Sequence, residues 1–269
     1  MIRSTAALLA VLLLALPWAP APAAAESPVL SRIVSSGKLR VGMSGNQPPL
    51  NFRNAEGELR GLEVDLAKAL AALMNLELVV VEKPFGELLP ALAADEVDLV
   101  MSGVTITPER NMRAAFVGPY FLSGKSILTR STTLAQADEA SDLDQESLKL
   151  AALEGSTSQE FIERMLPKAS LVATKNYDAA VELLLANKVS AIVADREIVT
   201  LTAFRNPKEG LVTLREPLTI EPIGIAAPPG DALLVNFLEN TIGALEASGV
   251  LSALRTRWLE RNDWVGELP

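Results

Sequence analysis

The 269-residue chain has no cysteine and no histidine, and only 4% of its residues are aromatic. Without cysteine it has no disulfide framework, no thiol nucleophile and no thiolate metal site, and no N-terminal cysteine is available to carry a lipid. Without histidine it lacks the commonest general base and zinc ligand at neutral pH, which excludes Ser-His-Asp hydrolysis. Ser35-x-x-Lys38 has the spacing of a Ser-Lys pair but none of its companion motifs, and reads as a helix end closed by Gly37. Neither a Walker loop nor a G-x-G-x-x-G is present, so neither a nucleotide nor any other cofactor is expected, and no metal. Positive charge is scarce as well. Beyond Arg3, 23 basic residues stand against 33 acidic ones, a net charge of −10. A field of that sign argues against nucleic acid and anionic membranes as partners, and makes any basic group in a cleft an exception.

Long apolar runs are missing too. The run Ala6 to Leu16 is too short to span a bilayer, and it follows Arg3 and precedes Ala23-Ala24-Ala25 and Glu26. Basic start, apolar middle and small-residue cleavage site mark residues 1–25 as an export signal. The mature chain is expected in the periplasm, soluble and not lipid-anchored.

The remainder alternates short apolar strands with amphipathic helices. Strands at Leu39 to Met43, Leu76 to Val81 and Val97 to Met101 are separated by helices at about Val64 to Met74 and Gly86 to Ala94. The first helix places Leu66, Leu70 and Leu73 on one face, and a small hairpin around Asn54 to Gly57 precedes it. Strand, helix, strand implies right-handed crossovers and a parallel sheet. Between Leu128 and Ser147 the composition turns polar, a connector with a short helix around Ala140 to Leu143. A second unit then repeats the alternation, with strands at Lys149 to Leu153, Ser170 to Thr174 and Ser190 to Ala194. A strand at Ile223 to Ala227 and helices at about Ala232 to Ala247 and Val250 to Arg261 close the chain. The expected organisation is α/β in two lobes joined by a double-strand hinge: 26–126 and 222–269 form lobe 1, and 127–221 form lobe 2.

One stretch carries most of the chemical signal. Strand Val97 to Met101 empties into the small-residue loop Ser102 to Ile106, followed by Thr107 as an N-cap, Pro108 as first helical residue and Arg110 in the first turn. Arginine has the wrong sign for a helix N-terminus unless a third party supplies an anion. A guanidinium fork beside hydroxyl and amide groups suits a small carboxylate. The bland alternative is a surface arginine paired with Glu109 or Glu96. Ligands in open α/β sheets sit beyond the carboxyl ends of the strands, which brings Ser44 to Gln47, Ser102 to Thr105, Gly155 to Thr157 and Asp195 to facing rims.

These residues resemble the periplasmic amino-acid-binding proteins of ABC importers, with the type II periplasmic binding fold. The resemblance rests on Leu39-Arg-Val-Gly with Pro48-Pro49, Gly61-Leu-Glu-Val-Asp-Leu-Ala-Lys, Leu89-Pro-Ala-Leu, Ser102 to Arg110, Gly118-Pro119-Tyr120 and the closing helix through Trp258. It implies two lobes, each a mostly parallel sheet flanked by helices, no catalytic residues, a monomer and a membrane permease as partner. It also implies roles. Arg110 would hold the ligand α-carboxylate with Thr105, the Gly103 carbonyl would receive the α-ammonium with Ser102 as a second acceptor, and Asp195 would pair with that ammonium from lobe 2. Thr157 would add to the carboxylate site, and Phe52, Phe85 and Leu153 would wall the side-chain pocket. Ser44 stands where such binders usually carry an acid, and Gln47 where they usually place an aromatic lid. Both departures favour a neutral or polar ligand side chain, with Glu154 as the acid able to overturn this. The alternatives are a cyclohexadienyl or arogenate dehydratase-like lyase on the same scaffold, with Glu197 or Glu154 as acid, and a sensor module for a receptor.

Overall fold

Apolar strands too short to bury themselves alone collapse into two sheets, each covered by helices, in a computed structural model that describes residues 27–268. The export-signal reading of residues 1–25 lies outside the described residues. In the first lobe, α1 (Pro28–Ser36) leads into β1 (Lys38–Met43), and β2 (Asn46–Gln47), β3 (Asn51–Arg53) and β4 (Leu59–Arg60) form a small antiparallel sheet. Then follow α2 (Leu62–Leu73), β5 (Glu77–Glu82), α3 (Phe85–Ala93), β6 (Leu99–Val100), α4 (Pro108–Asn111) and β7 (Ala115–Ser123). The second lobe holds β8 (Lys125–Thr129), β9 (Lys149–Leu153), α5 (Thr157–Met165), β10 (Ser170–Thr174), α6 (Tyr177–Leu185), β11 (Ala191–Asp195), α7 (Arg196–Arg205) and β12 (Val212–Thr213). Finally β13 (Glu221–Ala227), α8 (Ala232–Ala247) and α9 (Val250–Arg255) return to the first lobe, where Leu234, Leu238 and Trp258 join Leu39, Val41 and Leu66 in one core.

The sheets run β5-β1-β6-β13-β7 and β10-β9-β11-β8-β12. Both are mixed rather than mostly parallel. Strands β1, β5 and β6 are mutually parallel, as are β9, β10 and β11, because helices carry each crossover. Among the described strands of the two large sheets, β13 and β8 run against the rest, while β7 and β12, each paired antiparallel to one of these two, point the same way as the parallel strands. Sheet membership changes at Gly124, and again between Thr213 and Glu221. There the backbones tie together, Leu218 N–H donating to the Lys125 carbonyl at 2.7 Å. Leu128 and Thr129, expected to open the polar connector, instead end strand β8, and Ala140–Leu143 is a 3₁₀ turn.

Helix α2 buries Leu62, Glu63, Leu66, Ala67 and Leu70, while Leu73 is 61% exposed, so the inward stripe drifts away from the leucine read as its last member. The final helix gives way at Thr256–Glu260 to a wider π turn, which aims Trp258 inward so that its Nε1 donates to Asp65 Oδ2 at 3.0 Å. Among the described residues no helix is long and apolar enough to cross a membrane.

Candidate functional site

The loop after β6 folds as its residue types dictate. Thr107 is extended and its hydroxyl accepts from the Arg110 N–H at 3.2 Å, and Pro108 opens a single helical turn. That turn brings the Arg110 guanidinium back against its own loop, where Nη1 donates to the Thr105 carbonyl at 3.0 Å. Nη2 reaches the other lobe and donates to the Gly155 carbonyl at 3.2 Å. Arg110 is 9% exposed, and beside it the Thr105 and Thr157 hydroxyls meet across the lobes at 3.2 Å. The approach needs glycine: Gly155 has φ +73°, and a Cβ on it would stand 3.0 Å from Gly86 Cα of the first lobe. The two acids considered as surface partners for Arg110 pair elsewhere, Glu109 with Arg164 of lobe 2 at 3.1 Å and Glu96 with Lys83 at 2.7 Å. Burial pushes the Arg110 guanidinium below its ordinary value, opposed by the carboxylates of Glu160, Asp195, Glu221 and Glu109.

Asp195 ends β11 in the N-cap position of α7, yet its side chain makes no capping bond. Its Oδ1 accepts from Lys125 Nζ at 2.5 Å, and that ammonium lies 3.6 Å from Glu221 Oε2. Lys125 is 1% exposed, so two carboxylates share one buried ammonium and the trio carries one net negative charge. Tyr177, at the start of α6, faces the same charges: burial, with Asp195 and Glu197 nearby, holds its phenol well above the usual value and therefore protonated.

Behind the loop lies a buried network. Glu63 is fully buried and accepts from the Gly103 N–H at 2.6 Å, from Asn51 Nδ2 at 2.6 Å and from the Tyr120 hydroxyl. Burial raises its carboxyl, and those three donors oppose the rise. Asn51 Oδ1 in turn accepts from the Gly45 N–H at 2.7 Å and from the Ser44 hydroxyl at 3.2 Å. Gly103 itself is left-handed (φ +62°), and a Cβ there would stand 3.0 Å from Leu50 Cδ1.

Of the residues expected at the site, Arg110, Thr105 and Thr157 come together between the lobes, with the Asp195 carboxylate near enough to act on the guanidinium, while Gly103 lies against Glu63 and Leu50 within lobe 1. Phe85 and Leu153 meet in an apolar cluster that crosses the interface, joined by Tyr177, Ala194 and Ile198. Gln47 is 3% exposed beside Gly103 and accepts from the Ser102 hydroxyl at 3.4 Å. Ser102 and Ser44 require correction. The Ser102 hydroxyl is fully buried and spent on Ser44, Gln47 and Asn51, so both serines brace the loop within lobe 1. Phe52 requires a larger one. It is core, with ring centroids 5.9 Å from Trp258 and 5.4 Å from Trp264, because the returning C-terminal segment covers the hairpin face that was read as pocket wall. Glu154 is exposed, on a rim cavity of ≈ 440 Å³ with Phe85, Glu87 and Lys175.

Sequence reading missed Lys125, Glu221, Tyr177 and Glu63. Glu63 had a usable signal, since it shares helical spacing with Ala67 and Leu70, both fully buried, so an acid stood on a core stripe. Lys125 offered only a lone cation opening an apolar strand.

Glu197, in the first turn of α7, faces the first crossing between the lobes. The Ser123 hydroxyl in the first crossing donates to it, and burial raises its carboxyl to about 6. An acid raised above its unfolded value gives stability that is fully present below about pH 4.5 and is lost as pH rises through about 6. Glu197→Gln is therefore expected to gain up to about 2 kcal/mol at pH 8 and almost nothing at pH 4. Urea unfolding at both pH values checks this, and an equal effect at both would remove the titration from the account.

Comparison with known proteins agrees with the two-lobed fold. The sequence model of the bacterial extracellular solute-binding proteins, family 3, matches residues 39–261. ABC transporter arginine-binding protein 1 of Escherichia coli (strain K12) is 27% identical over 224 residues, covering 82% of this chain and 90% of that protein. A cyclohexadienyl dehydratase of Pseudomonas aeruginosa is 28% identical over 236 residues, 88% of each chain. Among solved structures, a mutant of ArgBP from T. maritima superposes with a TM-score of 0.81 at 30% identity, over 87% of this chain and 100% of that one.

Proposed function

The chain belongs to the bacterial extracellular solute-binding proteins of family 3, and on that premise we propose that it captures a small amino acid between its lobes for an ABC permease. The observation that carries this reading is the Arg110 guanidinium, buried where the lobes meet and donating to one backbone carbonyl from each. A ligand carboxylate replaces two neutral acceptors with a charged bidentate one, a stronger partner for the same fork. The α-ammonium then faces the Gly103 carbonyl and the trio of Asp195, Glu221 and Lys125, whose net charge is negative. Phe85 and Leu153 contact the side chain from opposite lobes, and these apolar walls favour a neutral one. Closure excludes water from each charge-assisted bond, and the closed pair of lobes is the surface a permease reads. Micromolar capture requires about 8 kcal/mol net. The protein acts in the periplasm as a monomer, after removal of residues 1–25.

A thermal-shift screen of the twenty amino acids tests the proposal. The true ligand at a hundredfold its Kd adds about 2.7 kcal/mol of stability. A flat response to all twenty sinks it. One observation favours a second reading. Glu197, with its carboxyl at about 6 beside Asp195 and Tyr177, has the character of a general acid, and one similar protein is a cyclohexadienyl dehydratase. Product formation from prephenate or arogenate that disappears in Glu197→Gln selects the lyase.

A further inference from the structure

The partner that a zwitterion's ammonium seeks is already engaged. Lys125 Nζ lies 2.5 Å from Asp195 Oδ1, is 1% exposed and leans on Glu221 at 3.6 Å. Its position is fixed from both sides, since Lys125 N–H donates to the Thr219 hydroxyl at 3.0 Å and its carbonyl accepts from Leu218. An arriving ammonium must therefore take what remains of a carboxylate that already holds an ammonium, and the two cations repel at close range in a water-poor site. A 2-hydroxyl or 2-oxo group brings no such repulsion. The hydroxyl donates to Asp195, and the oxo oxygen accepts from Lys125. The carboxylate end keeps its own donors, because the Arg110 fork and the Thr105 and Thr157 hydroxyls bond within their own group and not to Lys125.

We infer that Lys125 is a specificity-determining residue that holds Asp195 as a permanent partner, so that the site takes 2-hydroxy and 2-oxo carboxylates alongside amino acids of the same side chain. This rests on the proposed role of Arg110 as carboxylate anchor. The test measures Kd by calorimetry for matched pairs: alanine and lactate, leucine and 2-hydroxy-4-methylpentanoate, phenylalanine and phenyllactate, arginine and 5-guanidino-2-hydroxypentanoate. For the tightest pair, Lys125→Met is expected to raise the preference for the amino acid over its hydroxy analogue at least tenfold above that of the unaltered protein, because Asp195 is released to the ligand. A smaller rise overturns the inference. Should Lys125→Met not fold, Lys125→Gln serves instead, since it removes the second cation while leaving a polar neighbour for Asp195. Its preference for the amino acid is expected to rise likewise, and an unchanged preference overturns the inference. Amino acids binding with no hydroxy analogue detectable refutes the inference and leaves the proposed function standing. Hydroxy acids binding without amino acids does the reverse, and silence from both series refutes both.

Discussion

Arg110→Ala is expected to weaken binding of the best ligand by about 2–5 kcal/mol, roughly thirtyfold to several thousandfold. The guanidinium reaches both Thr105 and Gly155, and removing it leaves a ligand carboxylate desolvated without its counter-charge. Stability should change far less. The lost bonds go to backbone carbonyls at the lobe contact, and burial already disfavours the charged side chain there. Arg110→Lys retains the charge but loses the planar fork, so an intermediate loss is expected. Titration calorimetry with urea unfolding in parallel separates the two effects. Affinity within threefold of the unaltered protein would falsify the placement of the ligand at Arg110.

Glu63→Ala is expected to destabilise the protein by about 3–5 kcal/mol. Three buried donors, on Gly103, Asn51 and Tyr120, lose their acceptor at once, and a void is left beside Ala67. For a chain of this size that corresponds to roughly 6–20 °C in Tm. Affinity should fall as well, because the Gly103 amide that Glu63 anchors fixes the loop leading to Thr105 and Arg110. Glu63→Gln keeps the volume and an acceptor oxygen but turns an amide group toward other donors, so its cost should lie between. A Glu63→Ala protein that melts within 2 °C of the unaltered one would show that the network is ornamental.

Local hydrogen bonding was legible in the residues themselves. Thr107, Pro108 and Arg110 form the predicted cap and turn. The alternation of strands and helices was legible for the same reason, since periodicity expresses which face each element must bury. Both features are settled within a few residues of chain. Whether Phe52 lined a pocket or filled a core was settled by Trp258 and Trp264, some two hundred residues later, and so was not legible locally.

The sequence by itself thus determined the two α/β repeats, the capped turn that carries Arg110 and the small-residue loop before it, because each depends on near neighbours. Tertiary structure alone decided which charges face one another. Lys125 meets Asp195 across 70 residues and Glu63 meets Tyr120 across 57. Burial makes those long-range pairings obligatory, since an ion removed from water must find its counterpart wherever the fold brings one.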